Sequence, residues 1–422
     1  MRKVATLPPT TVTGISAPRA PAKLGYFQQA LPTNIILLTF LVVTLPLVAI
    51  SLVSLHDNIP IWNILIWVYV WLFGMTHFVI TLTVYLQSQN LKHFASTWRN
   101  RLYFFAVPVV VFVGFALLHA FQVGARFGLF AILFWSAIRL LDFNHFNRQS
   151  FGVFQLYKGR TGVKFPLWVK RCENLFFCSM TLLLFVTFLS GGLCPLFQPG
   201  GWLTISPIES VFKSPEFPLE IQQLAGRIGL DVSKEAVLNG LQAACVVALF
   251  ITVGLLIAAV VGLVRSWWTA GRPDGLTPAL LYFAFQTLSA LFAVLSFPLY
   301  IAALAIHYVE YHVLMIPRCF HTPLDEGSRL DRAFGTLRSH RGFFYATVIA
   351  VAGLVTAAFM TGMGAAMGND RTFVAEPFNY LLLIAVFDGL FVFHYFIEML
   401  IWRFSDPFFR KSLVGLYFAP KR

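Results

Sequence analysis

Charged residues are scarce in this sequence. Asp, Glu, Lys and Arg together make up 12% of the 422 residues, whereas hydrophobic residues make up 58%. This scarcity excludes an ordinary soluble domain, in which about a quarter of the residues are charged. The apolar runs are long enough to cross roughly 30 Å of hydrocarbon as helices. The composition therefore predicts an all-α fold, a polytopic transmembrane helix bundle.

Common functional signatures are also missing. The five cysteines include no CxxC pair and no disulfide-framework spacing, which argues against a thiolate metal site or a redox pair. No Walker, Rossmann, serine-elbow or HExxH motif occurs. ATP hydrolysis, nicotinamide binding at a recognised motif and zincin proteolysis therefore have no support from the sequence.

The apolar runs and the breaks between them predict about ten spans. The spans cover 34–55, 61–86, 103–122, 125–147, 173–192, 237–264, 277–295, 297–316, 342–366 and 378–402. A transmembrane helical domain at 31–416 then contains an external loop at 193–236 and is followed by a cytoplasmic tail at 417–422. Residues 1–30 lack the apolar segment of a signal peptide, so they are predicted to be a disordered cytoplasmic tail.

Basic and acidic loops alternate along the predicted bundle. Lys92, Arg99 and Arg101 lie in a loop on the same side as the other basic loops, whereas the loops 193–236 and 367–377 are acidic or nearly neutral. Cytoplasmic loops of membrane proteins carry the excess of Lys and Arg. The pattern predicts that both termini are cytoplasmic. It also assigns the net charge of +13 to membrane topology and not to nucleic-acid binding.

Four histidines lie on four different predicted spans, each in the cytoplasmic half: His77, His145, His307 and His394. Ionisable groups inside a bilayer are costly, so they indicate a functional site. Three of these histidines lie about 15 Å inside the cytoplasmic ends of their spans. His145 lies nearer the surface and can join the others only if its helix tilts or its loop folds inward. The shared depth predicts a metal or cofactor site within the bundle.

Carboxylates accompany the histidines at helical spacing. His394 and Glu398 are i,i+4 neighbours that point at one target, and His307 shares a face with Glu310 and Tyr311. Simple polar packing remains an alternative for each pair. His145 has Asp142 one turn before it, which either orients the imidazole as a ligand or forms an ion pair with Arg139. An anionic headgroup bound by His145 and Arg148 is a further alternative. The candidate metal ligands are His77, His145, His307, Glu310, His394 and Glu398.

Imidazole and carboxylate ligands without sulfur suit Fe(II), Zn or Mn, and His-plus-carboxylate sites with open positions are typical of non-haem iron oxygenases. The order of elements, with an early histidine, a second near the middle, the helix HYVEYH and the late helix HYFIEMLIWR, resembles that of bacterial membrane-embedded β-carotene dioxygenases of the bacteriorhodopsin-related-protein family. The resemblance implies intramembrane iron held by histidines, a polyene cleaved with O₂ and a bacterial inner-membrane location. The ending of HYFIEMLIWR also resembles that of uncharacterised bacterial polytopic membrane proteins.

The sequence departs from the family's pattern in several places. GMTH lacks the family's Pro before the first histidine, the paired histidines are spaced HxxxxH, the acid follows His394 at i+4, and the chain is longer. The HxxxH and HxxHH boxes of membrane desaturases are missing, so those enzymes are less similar.

Three classes of function remain open. The first is a metal-dependent oxidoreductase acting on a hydrophobic lipid or isoprenoid, with Fe(II) at the site and with Tyr311, Tyr395 and Glu398 as catalytic groups. The second is a haem- or quinone-binding electron-transfer subunit, which needs the histidines but not the glutamates. The third is a transporter or lipid flippase that uses the pair Arg139–Asp142, Asp388 and Glu398 as a proton or substrate path, without metal. The bilayer and a hydrophobic small molecule are the expected partners.

Overall fold

The computed structural model describes residues 70–120, 128–159, 163–189, 222–223, 225–227, 229–272, 276–294, 297–366, 377–403 and 405–417. The described residues form helices, turns and short connections, with no strand among them. The predicted all-α fold is therefore confirmed. The first predicted span, the tail 1–30, most of the loop 193–236, nearly all of the loop 367–377 and residues 418–422 lie outside the described residues.

Thirteen α-helices have defined bounds in the described part of the chain. The first seven are α1 (Thr76–Leu82), α2 (Ser88–Phe94), α3 (Trp98–Arg101), α4 (Val107–Ala120), α5 (Gly128–Gly159), α6 (Leu167–Leu189) and α7 (Lys234–Thr269). The others are α8 (Thr277–Ala293), α9 (Phe297–Phe320), α10 (Arg329–Arg338), α11 (Arg341–Ala366), α12 (Pro377–Ile401) and α13 (Pro407–Tyr417). A π-helical segment, Val70–Met75, leads into α1, and a second, Leu102–Ala106, leads into α4.

Three helical stretches in the described residues are long and apolar enough to cross a membrane: Trp98–Leu118, Leu167–Leu189 and Glu235–Thr269. A bent pair, Arg329–Arg338 with Arg341–Ala357, adds a fourth if it counts as one span. These helices are compatible with a membrane protein. Large apolar side chains such as Phe250 and Ile257 are exposed on α7, which is compatible with a face against lipid. The figure of about ten spans stays a prediction.

Helix α5 differs most from its predicted bounds. The sequence predicts its end at residue 147, because the following stretch is polar, but the helix continues to Gly159. The polar side chains of this stretch have partners. Asn147 donates to Thr181 Oγ1 at 3.2 Å, and the buried Lys158 lies 2.6 Å from Glu173 Oε1 on α6. A buried cation without such a partner would be strongly destabilising, so the ion pair lets α5 extend along α6.

Helix α12 is held in place at two points. At Gly389, an added Cβ would lie 2.6 Å from the Phe112 ring of α4, so α4 and α12 approach more closely than a larger residue allows. At the other end, the buried Arg318 of α9 donates to the carbonyl oxygen of Ile401 at 3.1 Å. The carbonyl oxygen of Ile401, at the end of α12, has no N–H donor within its own helix, so the Arg318 guanidinium supplies the missing hydrogen bond. Because α12 also packs against α1 and α5, the inward faces of these three helices meet.

Candidate metal centre

Four side chains from three helices converge at one point inside the bundle. His77 of α1, His145 of α5, and His394 and Glu398 of α12 each offer one ligand atom, and these atoms all lie within 4.8 Å of one another. None of the four side chains is more than 7% exposed. A His₃Glu group of this kind could hold a metal ion.

The polar atoms of this group lie in direct contact with one another. His77 Nε2 lies 2.8 Å from His394 Nε2, His145 Nε2 lies 3.0 Å from Glu398 Oε2, and His77 Nε2 lies 3.4 Å from Glu398 Oε1. Ligands about 2.1 Å from a common ion lie about 3.0 Å apart at right angles and about 3.4 Å apart in a tetrahedron.

His145 belongs to the group although the predicted end of its helix placed it near the surface. The continuation of α5 to Gly159 puts His145 about 20 Å along the axis from that end, at 1.5 Å per residue. The structure brings His145 together with the other three side chains from a continuous helix, without an infolded loop.

Thr81 of α1 connects the ligands to one another, and the sequence analysis missed it. Its Oγ1 lies 3.0 Å from Glu398 Oε1, 3.2 Å from His394 Nδ1 and 3.0 Å from the Tyr311 hydroxyl. It also reaches the carbonyl oxygen of His77, at 3.1 Å. The spacing of four residues between His77 and Thr81 was a usable signal, since it places both on one helix face. Threonine in an apolar helix is too common for that signal to stand out.

The two predicted tyrosines pack against different ligands. The ring of Tyr311 lies 4.1 Å from that of His77, and its hydroxyl accepts a hydrogen bond from Thr81 Oγ1 at 3.0 Å. The ring of Tyr395 lies 4.5 Å from that of His145. The Tyr395 hydroxyl donates to Asp142 Oδ1 at 2.5 Å. Asp142 thus supports His145 through the tyrosine that packs on it, in addition to its contact with Arg139 at 3.4 Å.

The predicted pair His307 and Glu310 lies beside the group of four. The His307 ring centroid is 5.0 Å from that of His77 and 5.1 Å from that of His145. The His307 Nδ1 atom is buried and has no hydrogen-bond partner. Glu310 is not part of the group of four, and its Oε2 accepts a hydrogen bond from Tyr282 of α8 at 3.1 Å. His307 is thus a neighbour of the group, and Glu310 is paired with Tyr282.

Comparison of this chain with protein-family models, with curated proteins and with solved structures finds no match. The fold and site define a class, a helical protein with a buried His₃Glu group. The resemblance to carotenoid dioxygenases stays a prediction from the order of its histidines.

Proposed function

We propose that this chain is a membrane-embedded metalloenzyme whose His₃Glu centre holds Fe(II) and oxidises a hydrophobic lipid or isoprenoid. The observation that carries the proposal is the convergence of His77, His145, His394 and Glu398 from three helices, with their ligand atoms within 4.8 Å of one another. Four ionisable groups are rarely gathered inside an apolar bundle without a use.

The contacts favour metal binding over polar packing. His145 Nε2 lies 3.0 Å from Glu398 Oε2 but makes no aligned hydrogen bond, and it is buried from water. A buried nitrogen without a hydrogen bond loses free energy unless another group binds it. A metal ion in the middle of the group satisfies this lone pair and those of the neighbouring ligands together.

The donor set favours a mononuclear non-haem ion. Three imidazoles and one carboxylate suit Fe(II), Zn or Mn, and on an octahedral ion they leave two positions for O₂ and substrate. A haem would need its two histidine ligands on opposite faces of the ring, so their nitrogen atoms could not be in contact. His77 Nε2 and His394 Nε2 are only 2.8 Å apart, which suits adjacent positions on one ion.

The surroundings of the centre suit an apolar substrate. The Phe78 ring packs 4.3 Å from His394, and the Tyr308 ring lies 5.4 Å from His77. A carotenoid, isoprenoid quinone or acyl chain can enter such a site from the bilayer, where O₂ also dissolves, whereas a polar metabolite would have to cross apolar packing.

The first test is metal analysis of the purified protein. We expect about one iron per chain and no Soret band. His145→Ala and Glu398→Gln should lose most of the metal, because even outer-shell changes cost roughly 10 to 100-fold in affinity. His340→Ala is the matched control, since His340 is exposed. A parent protein without metal, or equal metal in all variants, would refute the centre, and zinc without iron would refute the oxygenase.

The second test addresses the substrate. Lipid extracts of aerobically grown cells with and without the protein should differ in one oxidised or cleaved species. Glu398→Gln should abolish that difference while the protein remains in the membrane. Identical lipid and pigment profiles would contradict the enzyme and favour transport or electron transfer.

A further inference from the structure

An open groove of about 780 Å³ runs along α3 and the first turn of α4. The residues that line it include Trp98, Arg101, Leu102, Phe105, Val109 and Val110. Arg101 is the one charged residue among the described residues of this lining. The groove, named here the α3–α4 groove, shares no residue with the metal centre, so the proposed oxidation does not explain it.

The apolar side of the groove belongs to the helical stretch Trp98–Leu118, which is long and apolar enough to cross a membrane. Its exposed apolar side chains recur every three or four residues and so share one face. They are Trp98, Leu102, Phe105, Val109, Val113 and Leu117. A continuous apolar stripe on the outside of a protein marks a contact with another protein or with a membrane.

The α3 end of the stripe carries groups that suit the surface of a bilayer. Trp98 is 76% exposed, and tryptophan is enriched where a membrane meets water. The Nε atom of the exposed Arg101 donates to the carbonyl oxygen of Ala95 at 2.8 Å. Because this bond holds Nε, the two terminal nitrogens form the edge that can donate two parallel hydrogen bonds to a phosphate.

The length of the groove matches one leaflet of a bilayer. Val110 lies nine residues after Arg101, which is about 14 Å along a helix axis. The hydrocarbon core is about 30 Å thick, so the acyl chains of one leaflet span about 15 Å of it. A phosphate at Arg101 therefore places an acyl chain beside the apolar side chains as far as Val110.

The helix at the middle of the groove is not a regular α-helix. The π-helical segment Leu102–Ala106 contributes Leu102, Phe105 and Ala106 to the lining. Such segments are rare and occur frequently at functional sites. The irregular turn thus lies at the point where the charged end of the groove meets its apolar part.

A lipid suits this groove better than a second copy of the chain. Helices that associate within a membrane have small residues at their contact, because small side chains let the backbones approach. The groove instead presents the large side chains of Trp98, Leu102 and Phe105, next to a cation. The charge pattern of the loops predicts that Arg101 is cytoplasmic, and the cytoplasmic leaflet is the one that carries anionic lipids.

We propose that the α3–α4 groove binds an anionic phospholipid, with the phosphate on Arg101 and one acyl chain along Phe105, Val109 and Val110. The site requires the membrane location of the proposed function but not its metal centre.

The test is native mass spectrometry of the purified full-length protein in detergent. Phosphatidylglycerol and phosphatidylcholine with the same two oleoyl chains are added separately, and the dissociation constant of the first bound lipid is measured for each. The parent should bind phosphatidylglycerol about fivefold more tightly, since one basic residue contributes about 1 kcal/mol at an anionic lipid surface. Arg101→Gln should remove this preference, and Arg101→Lys should keep it.

Val109→Trp tests the apolar part of the site while Arg101 stays in place. Val109 is 61% exposed, so a larger side chain fills the groove without entering the core. This variant should bind both lipids more weakly. Arg265→Gln is the matched control, because Arg265 of α7 is also exposed, with the exposed Trp268 one turn further on, but does not line the groove. It should bind both lipids as the parent does.

Equal dissociation constants for the two lipids in the parent, an unchanged preference in Arg101→Gln, or an equal loss in Arg265→Gln would overturn the site. If Arg101→Gln fails to fold, unchanged lipid binding in Val109→Trp overturns it instead. Dimers of the parent that disappear in Val109→Trp while lipid binding is unchanged would assign the groove to a second copy. A parent that prefers phosphatidylglycerol but holds no metal would refute the metal centre and leave the lipid site intact.

Discussion

Replacement of Thr81 by valine tests how far the proposed metal centre depends on a group that is not one of its four ligands. Valine has nearly the shape of threonine, so the change removes one hydroxyl from a buried position. That hydroxyl lies 3.0 Å from Glu398 Oε1 and 3.2 Å from His394 Nδ1. Two ligand residues of the four thus lose a contact that fixes their orientation.

The expected loss can be estimated from these contacts. Removal of a partner that orients a metal ligand typically lowers metal affinity by roughly 10 to 100-fold, which is about 1.4 to 2.8 kcal/mol of binding free energy. Because one hydroxyl of Thr81 serves ligands on α12 and also contacts Tyr311, we expect an effect near the upper end. Thr81→Ser keeps the hydroxyl and should retain most of the affinity.

Competition with a chelator of known affinity measures the dissociation constant of each variant. Thr83→Val is the control, since Thr83 is equally buried but donates to the carbonyl oxygen of Ile80 at 2.7 Å and faces Cys319. It should leave metal affinity unchanged. An affinity of Thr81→Val within about twofold of the parent, or an equal loss in Thr83→Val, would contradict the role given to Thr81.

Two further predictions concern groups outside the centre. Lys158→Met or Glu173→Leu alone should lower the free energy of unfolding by about 3–5 kcal/mol, because each strands a buried charge, whereas the double variant should regain most of this loss. Titration of the purified protein with SDS checks this, and single variants as stable as the parent would contradict it. Burial raises the pKa of Asp331, but the hydrogen bonds from Ser88 and Asp325 outweigh it and leave this pKa below its usual value. Since the pKa of Asp331 is lower in the folded state, its stabilisation is complete above the ordinary pKa of about 3.9 and is lost as the pH falls through the lower folded value. Amide hydrogen exchange at Ser88 should therefore become faster in that pH range in the parent protein. The variant Asp331→Asn should show the faster exchange already at neutral pH.

The sequence predicts helix positions well where apolar runs define them. The predicted span 342–366 corresponds to α11 (Arg341–Ala366), and the predicted span 378–402 corresponds to α12 (Pro377–Ile401). The predicted end of α5 was wrong, because the last turns of this helix are polar. The partners of those side chains, such as Glu173 for Lys158, lie on another helix. Periodicity describes one helix at a time and contains no information about such partners.

For the candidate site too, the sequence pattern of a single helix does not show which side chains of other helices it meets. The pair His394 and Glu398 follows from i,i+4 spacing, and the structure brings both into the group of four. His307 and Glu310 also share a helix face, yet Glu310 contacts Tyr282. Helical spacing gives the direction of a side chain around its own axis, but the neighbour that it meets depends on how the helices pack.

The order of the ligands along the chain has a consequence for biosynthesis. His77 and His394 lie in direct contact although 317 residues separate them in sequence. During translation, His77 and His145 are made long before Glu398, so a nascent chain presents an incomplete set of donors. Such a set binds metal weakly and without selectivity. The complete set forms only after α12 has packed against α1 and α5, so in the proposed metalloenzyme loading with metal is a late step of maturation that distinguishes a fully assembled molecule from a truncated one.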